Sequence, residues 1–346
     1  MNYSLRIFFL SIIIGSFLVV WIPVYSKIIP TPKKPTIHLA FLKEAASGQQ
    51  QVILDGKNLG PGVDIVLDGR DIAFVRDHHV IYNGKDVGIG TGVGSDIQLS
   101  NHHIVFERND GHIIYDGKDL GNRVLSYRIS GNHIGMLRVG GIGMHTRFFF
   151  SYDGKSMDPE VFSFSLYSNH LVRLVEDTQS PSLRNNNKVI FDVKEYFQAS
   201  EGDPVINDHH IAYWREVAGK SHVIEDEKDL GAGDKANLSP SGILLSGNHI
   251  VFQRTLNGKK HIVYDGKDVG EGKDETISGD HLAFARTVAG ERHLFYDTKN
   301  LGEIAYFGHF SILENTVAYT RVVKGRNHVI LNGKDIGEGA DPVLSE

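Results

Sequence analysis

One pattern written nine times constrains this chain more than any other feature. Each copy centres on a stretch such as HIVYDGKDVGEG at 261–272, and the lysine after its turn marks the copies at Lys57, Lys85, Lys118, Lys155, Lys194, Lys228, Lys267, Lys299 and Lys334. The interval averages about 35 residues, a period at which each unit buries its apolar face only by packing on its neighbours. A simple length prior would divide 346 residues into two domains. The repeat overrules it, because one stacked array accounts for everything from Ile37 onward.

Each unit parses into four short strands. A segment such as DPVIN at 203–207 is followed by a polar turn, then by a strand alternating at period two, HHIAYWR at 209–215. A variable loop leads to a third strand of the HIVY kind, and Asp-Gly or Asn-Gly turns the chain into a short fourth strand, KDVG. Asp-Gly and Asn-Gly suit a two-residue hairpin turn because both central residues take positive φ. The pair recurs at Asp55, Asn83, Asp116, Asp153, Asp265 and Asn332, whereas Val193, Glu227 and Thr298 replace its glycine in three copies. A motif lost in three copies while its flanking strands persist is a preferred turn, not a reaction centre.

The chain ends discriminate between a ring and an open rod. The last repeat runs on into ADPVLSE, which matches GDPVIND at 202–208, whereas the first repeat starts almost directly at its second strand, IHLAF. The tail carries the piece that the head lacks. The predicted fold is therefore an all-β propeller of eight or nine short four-stranded blades over residues 37–346, closed by the C-terminal strand so that two sheet edges are removed. The stretch 126–202, where the repeat is weakest, is where two units would merge.

The layout SGDHLAF…HLFYD, at 278–284 and 293–297, resembles the repeats of TolB-type and WD-type propellers, with a polar turn before the second strand and an aspartate after the third. The resemblance covers residues 37–346 and implies the propeller class. The Trp-Asp ending of WD repeats is absent here, and the units are shorter than those of either relative.

Ahead of the repeats, Arg6 precedes an uninterrupted apolar stretch from Ile7 to Tyr25. Its 19 residues just suffice to cross a bilayer as a helix, and small residues at Val24 and Ser26 equally suit cleavage after Ser26. Residues 1–26 are thus expected to be a signal peptide or a signal anchor, with an N-terminal hydrophobic helix held in the membrane through residues 7–25. Residues 27–36 read as a stiff proline-bearing spacer. The expected location is extracytoplasmic, anchored or secreted, although Lys27, Lys33 and Lys34 favour the opposite orientation by the positive-inside rule. A formal charge of −6 with interspersed signs offers no surface for phosphates, so nucleic acid is not an expected partner. Zero cysteines exclude disulfides, thiolate metal sites and a cysteine nucleophile.

The 18 histidines invite a metal reading, yet most fill two repeated places. His103, His133, His170, His210, His249 and His281 open second strands, and His79, His112, His222, His261, His293 and His328 open third strands. Hydrogen-bonded bridges account for this better than ligation, and neither His-Glu-x-x-His nor a calcium loop occurs. Arginines recur at the ends of second strands, at Arg76, Arg108, Arg138, Arg215, Arg254, Arg286 and Arg321, where pairing with a neighbouring aspartate, for instance Arg108 with Asp116, is expected over an anion-binding ring. GIGTGVGSD at 88–96 reads as a connector, since no helix follows it. No Gly-x-Ser-x-Gly elbow is present. The expectation is no catalytic residue, no cofactor and no metal.

In a propeller, the two kinds of turn alternate between faces. The first-to-second and third-to-fourth turns are monotonous here, whereas the other connections vary in length and charge, as at 139–147, 176–188 and 231–242. Rigid scaffolds present function on such loops. The predicted ligand-binding residues are Arg147, Asp177, Arg184, Asp234 and Lys235, on a non-catalytic binding or scaffolding propeller that recognises a protein or a saccharide at the cell envelope. The alternative is a propeller enzyme, glycosidase- or lyase-like, acting on an extracellular saccharide or small substrate with paired acids in its channel.

Overall fold

The computed structural model describes residues 36–92, 96–140, 147–157, 161–176, 187–192, 194–199, 204–234, 242–305 and 309–346; for Arg147, Glu176, Asn187 and 194–199 it describes the backbone alone. The chain divides into two units, Met1–Thr36 and Ile37–Glu346. The apolar stretch 7–25, the helix and signal expected there, and most of the spacer lie outside the described residues. Among the described residues every regular element is a strand, and no helix is long and apolar enough to cross a membrane.

The second unit is a nine-bladed propeller of four-stranded antiparallel sheets. The blade number settles at nine because the weak repeat region forms two separate sheets, spanning 124–156 and 161–199. Blade 1 draws on both chain ends, in the order Lys57–Pro61, Gln50–Leu54, His38–Glu44 and Ala340–Ser345. Blades 2 to 9 follow as four-stranded meanders at 63–89, 98–119, 124–156, 161–199, 205–232, 243–271, 273–303 and 310–338. The tail closes the ring as the sequence predicts, pairing antiparallel with the second strand of blade 1, with Leu39 opposite Leu344 and Ala40 opposite Val343. Each first strand touches the first strand of the next blade, and Ala340–Ser345 bridges those of blades 9 and 2.

The aspartate or asparagine that opens each third-to-fourth turn has φ between 46° and 55° in all nine blades, the left-handed region the sequence calls for. Glu227 follows suit at 71° where its glycine is missing. Nine clusters of buried apolar residues fill the nine seams between adjacent blades. The 8/9 seam is built around Ala283, Leu294, Ile312 and Tyr319, the 9/1 seam around Phe41, Ile53 and Val329. Where the chain steps between blades, a Cβ on Gly62 would stand 2.4 Å from the Phe74 ring and one on Gly272 2.6 Å from Phe284. Only glycine lets the aromatic of the next blade close the seam.

The turn face, which carries the first-to-second and third-to-fourth turns, is laced by the second-strand histidines. His38, His103, His133, His170, His210, His249 and His281 each donate from Nδ1 to the turn aspartate of their own blade. The other oxygen of that aspartate accepts the following backbone N–H, as Asp265 does from Ile250 at 3.0 Å. In five blades Nε2 meets the turn of the next blade, at Asn132, Asn169, Asn248 or Asp280, and for His38 by accepting from Arg70 Nε at 3.3 Å. The two remaining blades begin that strand with Asp71 or Thr316, and there the turn residue is asparagine; Asn83 donates to Asp71 at 2.8 Å. A second latch rings the same face: first-strand side chains Ser345, Asp68, Ser100, Ser130, Ser246 and Ser278 accept from backbone N–H groups of the next blade. The expectation that these histidines are bridges holds for both sets. His112, His222, His261 and His328 pair with the fourth-strand aspartate seven residues on.

This bonding makes stability depend on pH in a stated direction. His133 is raised above its ordinary 6.5 by its hydrogen bond to Asp153. For His249, burial opposes the charge, but the bonds to Asp265 and Asp280 outweigh it and the value rises. Folding strength from these groups is complete below pH 6.5 and fades as pH climbs through their raised values. For Asp268, burial is overcome by Arg254 and His261, and the carboxyl falls from 3.8 to about 2, so its contribution is lost only in acid. The melting temperature is therefore expected to peak near pH 5 to 6, falling toward pH 8 and toward pH 3. A melting series on the parent chain and on His249→Ala checks this. The variant should lose part of the alkaline decline, and equal declines in both chains would contradict the assignment.

Candidate functional site

The opposite end of each blade forms the loop face, where second strands end, third strands begin and the chain passes to the next blade. The recurrent arginines stand here. Their predicted partner needs correction: Arg108 donates to Asp110 at 2.6 and 2.8 Å and approaches Asp119 at 3.5 Å, not Asp116. Asp116 lies at the other end of the blade, where His103 Nδ1 and the Ile104 N–H already occupy its oxygens. Most of the other arginines reach backwards. Arg76 donates to the carbonyls of Leu59 and Pro61, Arg286 to those of Val269 and Glu271, and Arg321 to those of Leu301 and Glu303. In each case the acceptors lie on or beside the outer strand of the preceding blade. Carbonyls that end an edge strand would otherwise face only solvent, and the guanidinium fork satisfies two at once.

Of the predicted site residues, Asp177, Arg184 and Lys235 lie outside the described residues, and Arg147 opens the strand Arg147–Tyr152 with its side chain undescribed. Asp234 can be placed. Its carboxylate accepts from Thr255 Oγ1 at 2.6 Å and from Lys260 Nζ at 2.7 Å. Burial works against its ionisation, but these donors hold the carboxyl below its ordinary range. Close by in the 7/8 seam, Asp274 pairs with Arg292 at 2.9 Å and Glu275 accepts a hydrogen bond from Gln253. Burial pushes the Glu275 carboxyl up. Sequence reading missed this polar cluster because Glu275 stands where Ile65, Ile97 and Pro342 stand in other blades, and Gln253 where most carry an apolar residue such as Val75, Leu137 or Trp214. Polar residues at facing places of two neighbouring repeats were the available signal.

Asp64, Asp274 and Asp341 enter their first strands with φ of 52° to 55°, each at a β-bulge that tilts the strand at the channel mouth. The motif is Gly-x-Asp, with the glycine against the neighbouring aromatic and the aspartate in a left-handed conformation it tolerates. Among the described residues no three His, Cys, Asp or Glu side chains are grouped to hold a metal.

Two further features mark the loop face. Among the described residues, six of the eight exposed large apolar side chains stand toward strand ends on this side, Ile89, Leu125, Phe149, Phe162, Leu256 and Val322, between 38% and 56% accessible; Ile336 lies within a fourth strand and Tyr167 ends a first strand on the turn face. Two grooves also flank blade 1. One, of about 640 Å³, lies along the 9/1 seam beside Glu44, Gln50, Arg326 and Glu338. The other, of about 240 Å³, lies along the 1/2 seam beside Gln50, Val63, Arg76 and His78.

No family model matches the chain, and no curated protein matches it. Solved structures similar to it include the β-propeller domain of the Trilobed protease from Pyrococcus furiosus, at 11% identity and a TM-score of 0.39 over 80% of this chain and 94% of that one. AztD from Citrobacter koseri is similar at 12% identity and a TM-score of 0.39, over 89% and 97% of the two chains. An acylaminoacyl peptidase from Pyrococcus horikoshii follows at 12% and 0.37, over 86% of this chain and 52% of that one. Likeness at this level carries no argument about what this chain binds.

Proposed function

We propose that this chain is a non-catalytic binding or scaffolding propeller of the cell envelope that takes a partner on its loop face. The supporting observation is the asymmetry of the two faces. On the turn face, histidine, aspartate, asparagine and serine groups are spent on bonds within and between blades. The loop face carries the six exposed apolar strand ends and both grooves, the usual composition of a recognition surface. The chain enters the propeller at His38, on the turn face, so its junction with residue 36 lies opposite the variable loops. Envelope location is supported by the apolar stretch 7–25. Kinship with TolB-type or WD-type repeats is supported by the polar turn before the second strand and by the aspartate after the third.

The enzymatic alternative needs free, convergent acids. Among the described residues, Asp234 and Asp274 on the loop face are held by Lys260 and Arg292, and that engagement favours the binding reading. Capture of proteins from a membrane extract with the full-length chain tests it. A partner retained by the parent chain should be lost with Leu256→Asp combined with Val322→Asp. Retention in both would refute a loop-face partner, provided the variant melts as the parent does.

A further inference from the structure

We infer that the groove along the 9/1 seam receives an extended peptide segment bearing a lysine or arginine side chain. The inference rests on the loop-face reading and narrows its partner to one chemistry.

The groove lies on the loop face where the closing strand meets blade 9. Phe41, Ile53 and Val329 pack beneath it, and the closing strand Ala340–Ser345 enters here by way of Gly339. A Cβ on Gly339 would lie 2.5 Å from the Phe41 ring, so the floor admits no bulkier residue and its depth is set by the ring closure itself. The floor and rim are small: Ala45, Ala46, Gly325, Gly339 and Ala340. A volume of about 640 Å³ falls within the range that encloses a small ligand.

The walls decide the ligand. Gln50 and Asn327 present carboxamides, each able to donate to and accept from a main-chain amide. Glu338 is neutralised by Arg326 at 2.6 Å. Glu44 is left over: its carboxylate has no hydrogen-bond partner among the described residues, and it acts on Arg326 only through the longer-range field. The lining alone, two carboxylates and one guanidinium, carries −1; Lys43 and His328 act from beside it on Glu338, already held by Arg326, so the place for a cation is at Glu44. The lining contains no Phe, Tyr or Trp, so a sugar ring or nucleobase finds no aromatic face to stack on. Gln50 also lines the 1/2 groove, which lets an extended segment continue over the turn at 45–49 into the second trough.

Panning a random dodecamer phage library against the full-length chain tests the inference. The expected result is an enriched motif with Lys or Arg at one fixed position. A labelled peptide of that motif should bind about tenfold more weakly to Glu44→Gln, the loss of one charge-assisted bond, and not measurably to Ala46→Trp, which fills the groove from an exposed turn. Both variants should melt as the parent does. No enrichment, a motif without a fixed basic residue, or binders that ignore both variants would overturn the assignment. The loop-face reading would survive that failure, because its own test relies on Leu256 and Val322 in blades 7 and 9.

Discussion

Deletion of residues 340–346 is expected to abolish cooperative folding of the propeller. The segment supplies the inner strand of blade 1 and pairs with residues 38–42. It buries Pro342 and Leu344 and latches both neighbours, with Ser345 Oγ accepting from Gly69 N and Leu344 N donating to Ser311 Oγ. Two buried side chains and several lost main-chain and latch bonds amount to roughly 5 kcal/mol or more, comparable with the whole stability of an ordinary domain. Two first-strand neighbours and the edge of His38–Glu44 would be left bare, inviting aggregation. Thermal melts followed by circular dichroism should show a broad, early transition, and a synthetic peptide of residues 339–346 added in excess should restore part of the cooperativity. A truncated chain that melts like the parent would show that the ring is held elsewhere.

The second large effect lies on the turn face. Asn83→Asp is expected to cost about 3 kcal/mol, because it replaces a donor to Asp71 with a like charge beside a carboxylate that is 14% exposed. His102 Nδ1, 2.6 Å from Asp71, offsets part of that repulsion. Adding Asp71→His should recover most of the loss, since the double variant recreates the pairing found in seven other blades. Equilibrium urea unfolding of the two single variants and the double variant yields the coupling energy directly. Additive losses would contradict the pairing.

That pairing also marks the limit of what the sequence discloses. The turn residues, the strand periods and the closure were legible, because positive φ and a buried face each leave a fixed residue pattern. The exchange of His–Asp for Asp–Asn or Thr–Asn was equally present in the nine copies, at 71 with 83 and at 316 with 332, yet it becomes visible only when strand and turn are known to face each other. The arginines could not be read this way. Their partners are mostly backbone carbonyls of the preceding blade, which carry no residue identity, so the expected pair of Arg108 with Asp116 joined opposite ends of a blade. The grooves beside blade 1 were hidden for a similar reason, since they are set by how the backbone of blade 1 meets blades 9 and 2, which no residue pattern spells out. Loop variability directed attention to the loop face, where Asp234, the one predicted residue whose side chain is described, is tied to Thr255 and Lys260.

We propose a division of labour between the two faces, in which one holds the ring together and the other meets the partner. Because the chain has no cysteine, single cysteines carrying a photo-crosslinker can be placed at Leu256 and Val322 on the loop face and at Asn132 and Asp280 on the turn face. With the captured partner bound, adducts are predicted from Leu256→Cys and Val322→Cys alone. Adducts that form only from Asn132→Cys or Asp280→Cys would contradict the account.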